Sequence, residues 1–326
     1  MRRRQFLGVL VGAVVLPYGA VAQKALPRIG FLASGAAASI NSEVQVRTIK
    51  RGLEDNGLIE GRDYIFEVRF ASGRYERFPE LARELAQAGV SVILVNTIAS
   101  VQAVQGLVPP VPVVMMSIND PVGTGLIVSL ARPGGHTTGM ATLNEELTPK
   151  LIEFQRSILP KAKSIAALYN PANPTNLDFL KGLREHAGAL GMSVAAIEVR
   201  SRDQLEAAFV ALAAHRPDLV QVISDSGLLD LMDRIAALAL ANRLPSFSTS
   251  PEFTRFGGLI AYGASREKLY LRSAWYVKKI LDGANPGGLP VEQPSRIELS
   301  INLKTAKALG LTIPASLLAT ADEVIE

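Results

Sequence analysis

Residues 111–126 read VPVVMMSINDPVGTGL, and the change of character within this stretch decides the fold. It opens as a short apolar run rich in β-branched residues, which is typical of a buried strand. The run breaks at residues 117–120, and Pro121 follows at a position that suits the first turn of a helix, with Asp120 as its cap. A strand, a polar break and a helix start predict one βα corner. Ligands bind at such corners in open α/β sheets.

The same unit recurs along the chain in two series separated by a pause at residues 137–144. Further strands are predicted at residues 28–33, 64–70, 90–95, 164–169, 192–199, 219–223, 244–248, 258–262 and 296–303. Helices are predicted between them, including one that starts at Thr148-Pro149, one that Ser201 and Gln204 begin as a capping box, one at residues 228–242 and one from Ser265 to Leu281. Strands that alternate with helices predict parallel sheets with helices on both faces, and therefore two similar α/β lobes.

Polar or aromatic residues stand where most of these strands meet helices or crossovers. Helix capping alone would explain any one of them, but the recurrence on two lobes predicts two ligand-facing edges on either side of a cleft. The candidate ligand-binding residues are Ser34, Asn96, Thr97, Ser117, Asp120, Thr142, Tyr169, Asn170, Asn173, Ser224, Asp225 and Tyr262.

Their chemistry suggests a small polar or aromatic ligand, such as an amino acid or a related organic acid. Hydroxyl groups and helix-start N–H groups suit a carboxylate. Asp120 or Asp225 would suit an ammonium or hydroxyl group, and Tyr169 or Tyr262 an apolar portion. No arginine is predicted at these corners, which disfavours a strongly anionic ligand such as a phosphate ester.

The first 23 residues have the features of an export signal. Three arginines at positions 2–4 precede an apolar segment at residues 6–16 and an Ala20-Val21-Ala22 cleavage pattern. The run RRQFL at residues 3–7 also resembles a twin-arginine signal. We therefore predict cleavage of residues 1–23 and a periplasmic mature protein. The chain has no cysteine, which excludes disulfides and thiolate chemistry and predicts that no lipid anchor is attached.

Charge gives no indication of nucleic acid as a partner. The formal net charge is +4 for the whole chain, and removal of the three arginines of the signal lowers it to about +1. A nearly neutral mature protein lacks the basic surface that nucleic-acid binding requires.

Several segments resemble one known family. They are RGLEDNGLIEG at residues 51–61, DPVGTGL at 120–126, SLARPGG at 129–135, GGLIAYGAS at 257–265 and INLKTAKALGLTIP at 301–314. The mature chain is identified by them as a member of the ABC-transporter substrate-binding protein family related to the tryptophan- and tyrosine-binding TrpX-type proteins.

The resemblance implies a type I periplasmic binding fold, in which two Rossmann-like lobes are joined by a three-stranded hinge. The crossovers are expected near residues 139–144, 262–265 and 285–293. The N-terminal lobe would contain residues 27–140 and 265–286, and the C-terminal lobe residues 145–262 and 294–326. The implied function is capture of a small-molecule ligand by hinge closure, by a monomer that needs no cofactor or metal and delivers to an ABC permease in the inner membrane.

Two other functions stay open at this point. The same cleft would serve a ligand-sensing protein that partners a membrane receptor. An α/β hydrolytic enzyme is disfavoured because His136, His186 and His215 are scattered and no G-x-S-x-G, H-E-x-x-H or P-loop motif occurs. We expect a protein that is not an enzyme.

Overall fold

The computed structural model describes residues 25–326, whose first sheet contains five parallel strands. In chain order these are β1 (Arg28–Ala33), β2 (Ile65–Phe70), β3 (Val90–Val95), β4 (Val113–Asn119) and β5 (Thr137–Thr142). Their spatial order is β2-β1-β3-β4-β5. Three helices lie between them, α1 (Ile40–Asp55), α2 (Phe78–Gln87) and α3 (Ile98–Gln105).

The second sheet contains seven strands. They are β6 (Ser164–Tyr169), β7 (Ser193–Glu198), β8 (Leu219–Val222), β9 (Ser246–Ser248), β10 (Ile260–Gly263), β11 (Glu298–Asn302) and β12 (Glu323–Ile325). Their order is β12-β11-β10-β9-β8-β6-β7, and only the β10–β11 pair is antiparallel. The remaining helices are α4 (Thr148–Ile158), α5 (Pro174–Ala189), α6 (Leu205–His215), α7 (Ser226–Leu229), α8 (Met232–Ala241), α9 (Arg266–Leu281), α10 (Leu303–Leu309) and α11 (Ala315–Leu318). The prediction of α/β architecture with mainly parallel strands is confirmed.

Helix α9 follows β10 of the second sheet in the chain but packs on the first sheet. Its Leu269, Ala274 and Val277 are buried in one apolar cluster with Phe31 of β1 and Val114 of β4. We call the first sheet with α1, α2, α3 and α9 the first lobe, and the second sheet with the other helices the second lobe. The chain therefore passes between the lobes three times, after β5, after β10 and before β11. The finer lobe boundaries given above stay a prediction, and the signal sequence lies outside the described residues.

Short polar side chains cap two of the helices beside the first sheet and set where these helices begin. Ser39 caps α1 by accepting a hydrogen bond from the Ser42 N–H at 3.0 Å. Thr97 caps α3 in a capping box, because Thr97 and Ser100 each accept from the other's backbone N–H. Such caps satisfy N–H groups that have no partner inside the helix. They fix where each helix begins relative to the strand before it.

The predicted helix at Pro121 is wrong. Strand β4 continues to Asn119, because Ile118 and Asn119 pair with residues of β5, a strand that was not predicted. Asp120 then adopts a left-handed backbone with φ of 40°, and residues 121–125 form turns. The Asp120 carboxylate accepts from the Gly123 N–H at 2.8 Å, so it closes a turn and caps no helix.

Other local expectations are also corrected. The capping box expected at Ser201 and Gln204 does not form. The Ser201 side chain makes no capping hydrogen bond, and the Gln204 side chain accepts from the Arg200 N–H. Helix α4 begins at Thr148 as predicted, but Thr148 is its first residue and not its cap, and its hydroxyl donates to the Glu145 carbonyl. The helix expected at residues 228–242 is divided into α7 and α8, and strand β12 was not predicted. Between residues 25 and 326, no helix combines the length and apolar character needed to cross a membrane.

Gly139 gives a test of the contact between β4 and β5. Its φ is +127°, and a Cβ there would lie 2.1 Å from the Met115 carbonyl oxygen and 2.6 Å from the Met115 nitrogen. Both are backbone atoms that cannot move aside without breaking the strand pairing. We expect Gly139→Ala to lower the free energy of unfolding by about 3 kcal/mol or more in urea titrations.

Gly310→Ala is the matched control. Gly310 has a left-handed φ of +71° with nothing within 4 Å of the added Cβ. Its substitution should cost about 1 kcal/mol from backbone strain alone. Equal losses at both positions would contradict the role assigned to Met115.

Candidate ligand-binding cleft

A small polar cavity lies where the carboxyl ends of strands from both lobes face each other. The first lobe contributes the ends of β3, β4 and β5 and the first turns of α9. The second lobe contributes residues that follow β6 and β8. The volume of this cleft cavity is about 50 Å³, whereas a single water needs roughly 10–15 Å³ on a comparable measure. The cavity as it stands accommodates a compact polar group.

Seven of the twelve predicted residues line the cleft cavity. They are Asn96, Thr97, Ser117, Thr142, Asn173, Ser224 and Asp225. All seven stand within a few residues of the carboxyl end of a parallel strand. The topological rule that selected them therefore brings them together in space.

Three other predicted residues lie near the cleft but outside this cavity. Ser34 directly follows β1 and is fully buried, and its hydroxyl has no hydrogen-bond partner. Asn170 lines a larger neighbouring cavity of about 500 Å³ between the lobes. Asp120 lies in the turn after β4, and its carboxylate is engaged by Gly123.

The two predicted tyrosines pack inside the second lobe. Tyr169 is buried in the apolar core, and its hydroxyl donates to the Glu198 carboxylate at 3.0 Å. The Tyr262 ring meets the Phe154 ring edge-on, with centroids 5.1 Å apart. Side chains alternate between the faces of a strand, and both rings face the helix layer that contains α4. The aromatic residue that does line the cleft cavity is Tyr270 of α9.

Asp225 is a structural link between the lobes. Its carboxylate accepts from the Tyr75 hydroxyl of the first lobe at 3.1 Å. It also accepts from the side-chain amides of Asn170 and Asn173 at 3.0 Å each, and from the Gly227 N–H at 2.9 Å. Burial, together with the Asp225 charge, raises the pKa of Tyr75 well above its usual value, so the phenol remains a donor. The carboxylate is therefore occupied, and the expectation that it binds a ligand ammonium is not supported.

Three further contacts hold the lobes against each other. The Asp230 carboxylate of the second lobe accepts from the Ala36 N–H at 3.1 Å and the Asn41 amide at 2.7 Å. The Ser226 hydroxyl donates to the Asn96 carbonyl at 2.8 Å. The Glu252 carboxylate of the second lobe accepts from the backbone N–H of Arg266 at 2.9 Å. These contacts hold the two lobes together in a closed arrangement.

Arg266 is a cleft residue that the sequence analysis missed. It is the first residue of α9, directly after the Ser265 cap, and it lines the cleft cavity. Its Nε and Nη1 atoms are shielded from solvent and have no hydrogen-bond partner. Its guanidinium lies 5.8 Å from the centroid of the Tyr270 ring. The expectation that no arginine stands at a corner is corrected, because α9 returns to the first lobe and places its first turn in the cleft.

None of the three histidines lines the cleft cavity, and the His186 ring contacts the Gly182 carbonyl of its own helix at 2.8 Å. No cluster of three or more potential metal ligands occurs within residues 25–326. The polar groups of the cavity are amides, hydroxyls, one carboxylate and one guanidinium, which suit recognition of a small molecule.

Comparison with known proteins supports this description. The sequence model of a family described as ABC transporter substrate binding protein matches residues 40–325. The chain belongs to this family. Members of the family bind substrates and are not enzymes, so the prediction that this substrate-binding protein is not an enzyme is confirmed.

Several relatives match most of this substrate-binding protein. A tyrosine-binding protein of Clostridioides difficile (strain R20291) is 24% identical over 261 residues, which cover 80% of this chain and 75% of the relative. An ABC domain from Streptococcus pneumonia, solved in complex with L-Trp, has a TM-score of 0.81 and 23% identity, over 92% of this chain and 100% of that one.

The same architecture occurs in leucine-binding protein LivK from Thermotoga maritima. The TM-score is 0.54 at 15% identity, with 80% of this chain and 77% of that chain covered. The prediction of a type I periplasmic binding fold is confirmed.

The Asp225 link gives a second test. We expect Asp225→Ala to lower the free energy of unfolding by about 3 kcal/mol, because Tyr75, Asn170 and Asn173 would lose a buried acceptor. Asp178→Ala, which removes an exposed carboxylate on α5, should change it by less than about 0.5 kcal/mol. If both variants changed the free energy of unfolding in urea by similar amounts, Asp225 would not be a structural link between the lobes.

Asp230 gives a pH-dependent test. Burial raises the pKa of the Asp230 carboxyl above 3.8, opposed by donation from Asn41 and Ala36 and by the Arg266 charge. Because the folded-state pKa is the higher one, the stability linked to this group is present at low pH and is lost as pH rises through that pKa.

The free energy of unfolding of the native protein, minus that of Asp230→Asn, should therefore increase as pH falls from about 7 to about 4.5. Urea titrations of both proteins across this range measure the difference. A difference that is constant or that falls on acidification would refute the assignment.

Proposed function

We propose that this protein is the periplasmic component of an ABC importer, which captures an amino acid or a related organic acid in the cleft cavity. The observation that carries the proposal is a polar cavity whose wall comes from both lobes. A ligand there contacts both lobes at once only when they are closed, so binding favours closure. The closed surface would then be recognised by a permease in the inner membrane.

The nature of the cavity wall supports the ligand class. Hydroxyl and amide groups of Thr97, Ser117 and Asn119 stand beside apolar side chains of Ile98 and Leu229. Such a mixture fits a small molecule with a polar head and an apolar portion. A relative named as a tyrosine-binding protein and a similar structure solved with L-Trp are consistent with an amino acid.

The cellular setting is also part of the proposal. The arginine-rich start, the apolar segment and the Ala20-Val21-Ala22 pattern support export and cleavage after about residue 23. The mature chain would then act as a monomer of two lobes, with the boundaries predicted above.

Ligand screening of the mature protein tests the proposal. In thermal-shift measurements, a ligand at about 100 times its Kd should stabilise the folded state by about 2.7 kcal/mol. This corresponds to a rise of roughly 4 °C in Tm for a mature chain of about 300 residues. We expect a rise with at least one amino acid or small organic acid, and none with sugars or nucleosides.

Ser117→Tyr provides the site control. Ser117 is half-buried in the cavity wall, so a phenol there would fill the cleft cavity and abolish the ligand-induced rise. Ser157→Tyr places the same side chain at an exposed position of α4 and should leave the rise unchanged. A rise that survives Ser117→Tyr would move the binding site elsewhere, and a protein that responds only to sugars or nucleosides would refute the ligand class.

A further inference from the structure

The guanidinium of Arg266 lines the cleft cavity without a direct ion-pair partner among the described residues. Its Nε and Nη1 are shielded from water and unpartnered, and Arg266 forms no ion pair within 4.0 Å among residues 25–326. The nearby Asp230 carboxylate bonds to Ala36 and Asn41, and Glu252 bonds to the backbone N–H of Arg266. The facing carboxylates are therefore committed to other donors.

An arrangement of this kind is unfavourable for the protein on its own. When a charge or an N–H donor is shielded from water without a partner, it loses its hydration and no protein hydrogen bond compensates for that loss. Nearly all buried polar groups in folded proteins have partners, so an unpartnered guanidinium that lines a cavity is a candidate group for binding an anion.

A second unpartnered group lines the same cavity. Asn96 is only 3% exposed, and its Oδ1 accepts no hydrogen bond while its Nδ2 donates to Gln45 at 3.3 Å. Asp225, the other potential acceptor for a ligand ammonium, is saturated by protein donors. Among its polar groups, the cavity therefore offers an unpartnered cationic donor and an unpartnered neutral acceptor.

We propose that Arg266 binds the carboxylate of the ligand, while Asn96 Oδ1 accepts from an N–H or O–H group of the same molecule. The inference rests on the proposed function and narrows its ligand to compact acids with a nearby donor, such as α-amino or α-hydroxy acids. Arg266 is the one cation among the described residues that line the cavity, and the carboxylate there, Asp225, is engaged by protein donors. A phosphate dianion would keep an unbalanced charge in a shielded site.

The competing explanation is that Arg266 serves only the fold. Its stacking near Tyr270 and its position at the start of α9 would then stabilise the ligand-free protein. The two explanations predict opposite effects on stability. A structural arginine lowers Tm when it is replaced, whereas removal of a shielded, unpaired charge leaves Tm unchanged or raises it.

Matched acid and amide ligands test the proposal by calorimetric titration. The pairs are L-tyrosine with L-tyrosinamide, L-tryptophan with L-tryptophanamide and L-leucine with L-leucinamide, and L-phenylalanine is compared with 3-phenylpropanoate. Each is titrated into the native mature protein, Arg266→Gln and Arg266→Lys, and the ligand-free Tm of each protein is recorded.

We expect the native protein to bind at least one acid about 100-fold or more tightly than its amide. Arg266→Gln should reduce that preference to less than about tenfold, with Arg266→Lys in between, because lysine keeps the charge without the planar fork. L-Phenylalanine should bind more tightly than 3-phenylpropanoate, which lacks a donor for Asn96. The ligand-free Tm of Arg266→Gln should equal or exceed that of the native protein.

The contrary results are distinct. Equal binding of acid and amide, or an acid preference that Arg266→Gln retains, would overturn the assignment of Arg266 and leave the protein a binding protein. A lower Tm of Arg266→Gln with an unchanged preference would assign Arg266 to the fold. Binding of sugars or nucleosides alone would overturn this inference and the proposed ligand class together, as would the absence of binding by any compound.

Discussion

Parallel strand pairing is the constraint on which the cleft depends. In a parallel sheet every strand ends at the same edge, so the residues after β1, β3 and β4 are neighbours although the chain separates them widely. The second sheet has the same property at β6 and β8. The three passages of the chain between the lobes set these two edges face to face. A site that combines distant residues therefore follows from topology, before any ligand is considered.

The polar groups of the cleft fall into two sets, those that join the two lobes and those that lack a hydrogen-bond partner. Asp225 accepts from donors of both lobes, and Asp230 of the second lobe accepts from two donors of the first lobe, so both carboxylates join the lobes. Arg266 and Asn96, which line the cavity, have side-chain atoms without a hydrogen-bond partner. Carboxylates that hold the lobes together are no longer available for a ligand, which explains why recognition falls to a guanidinium and an amide.

The sequence predicted the architecture well because hydrophobic periodicity and strand-end chemistry are local signals. Seven of the twelve predicted site residues lie together in the cleft cavity for the same reason. Strand β5 was missed because TTGMAT has weak apolar character, and it becomes a strand only by pairing with β4. The orientation of Tyr169 and Tyr262 depends on which face of a strand meets the core. The presence of Arg266 in the cleft depends on where α9 lies after the chain has passed between the lobes a second time. Such outcomes are set by distant parts of the chain, which a local pattern does not contain.

The return of α9 to the first lobe has a consequence for the order in which the protein is made. The core beside β1 includes side chains from residues 269–280, so it is incomplete while only the N-terminal half has left the ribosome. The second sheet likewise receives its last strand at residues 323–325. Neither lobe is finished until most of the chain is available, and the nascent first half exposes apolar surface that α9 later covers. A chain of this design suits post-translational handling, in which the whole polypeptide is available before folding is completed.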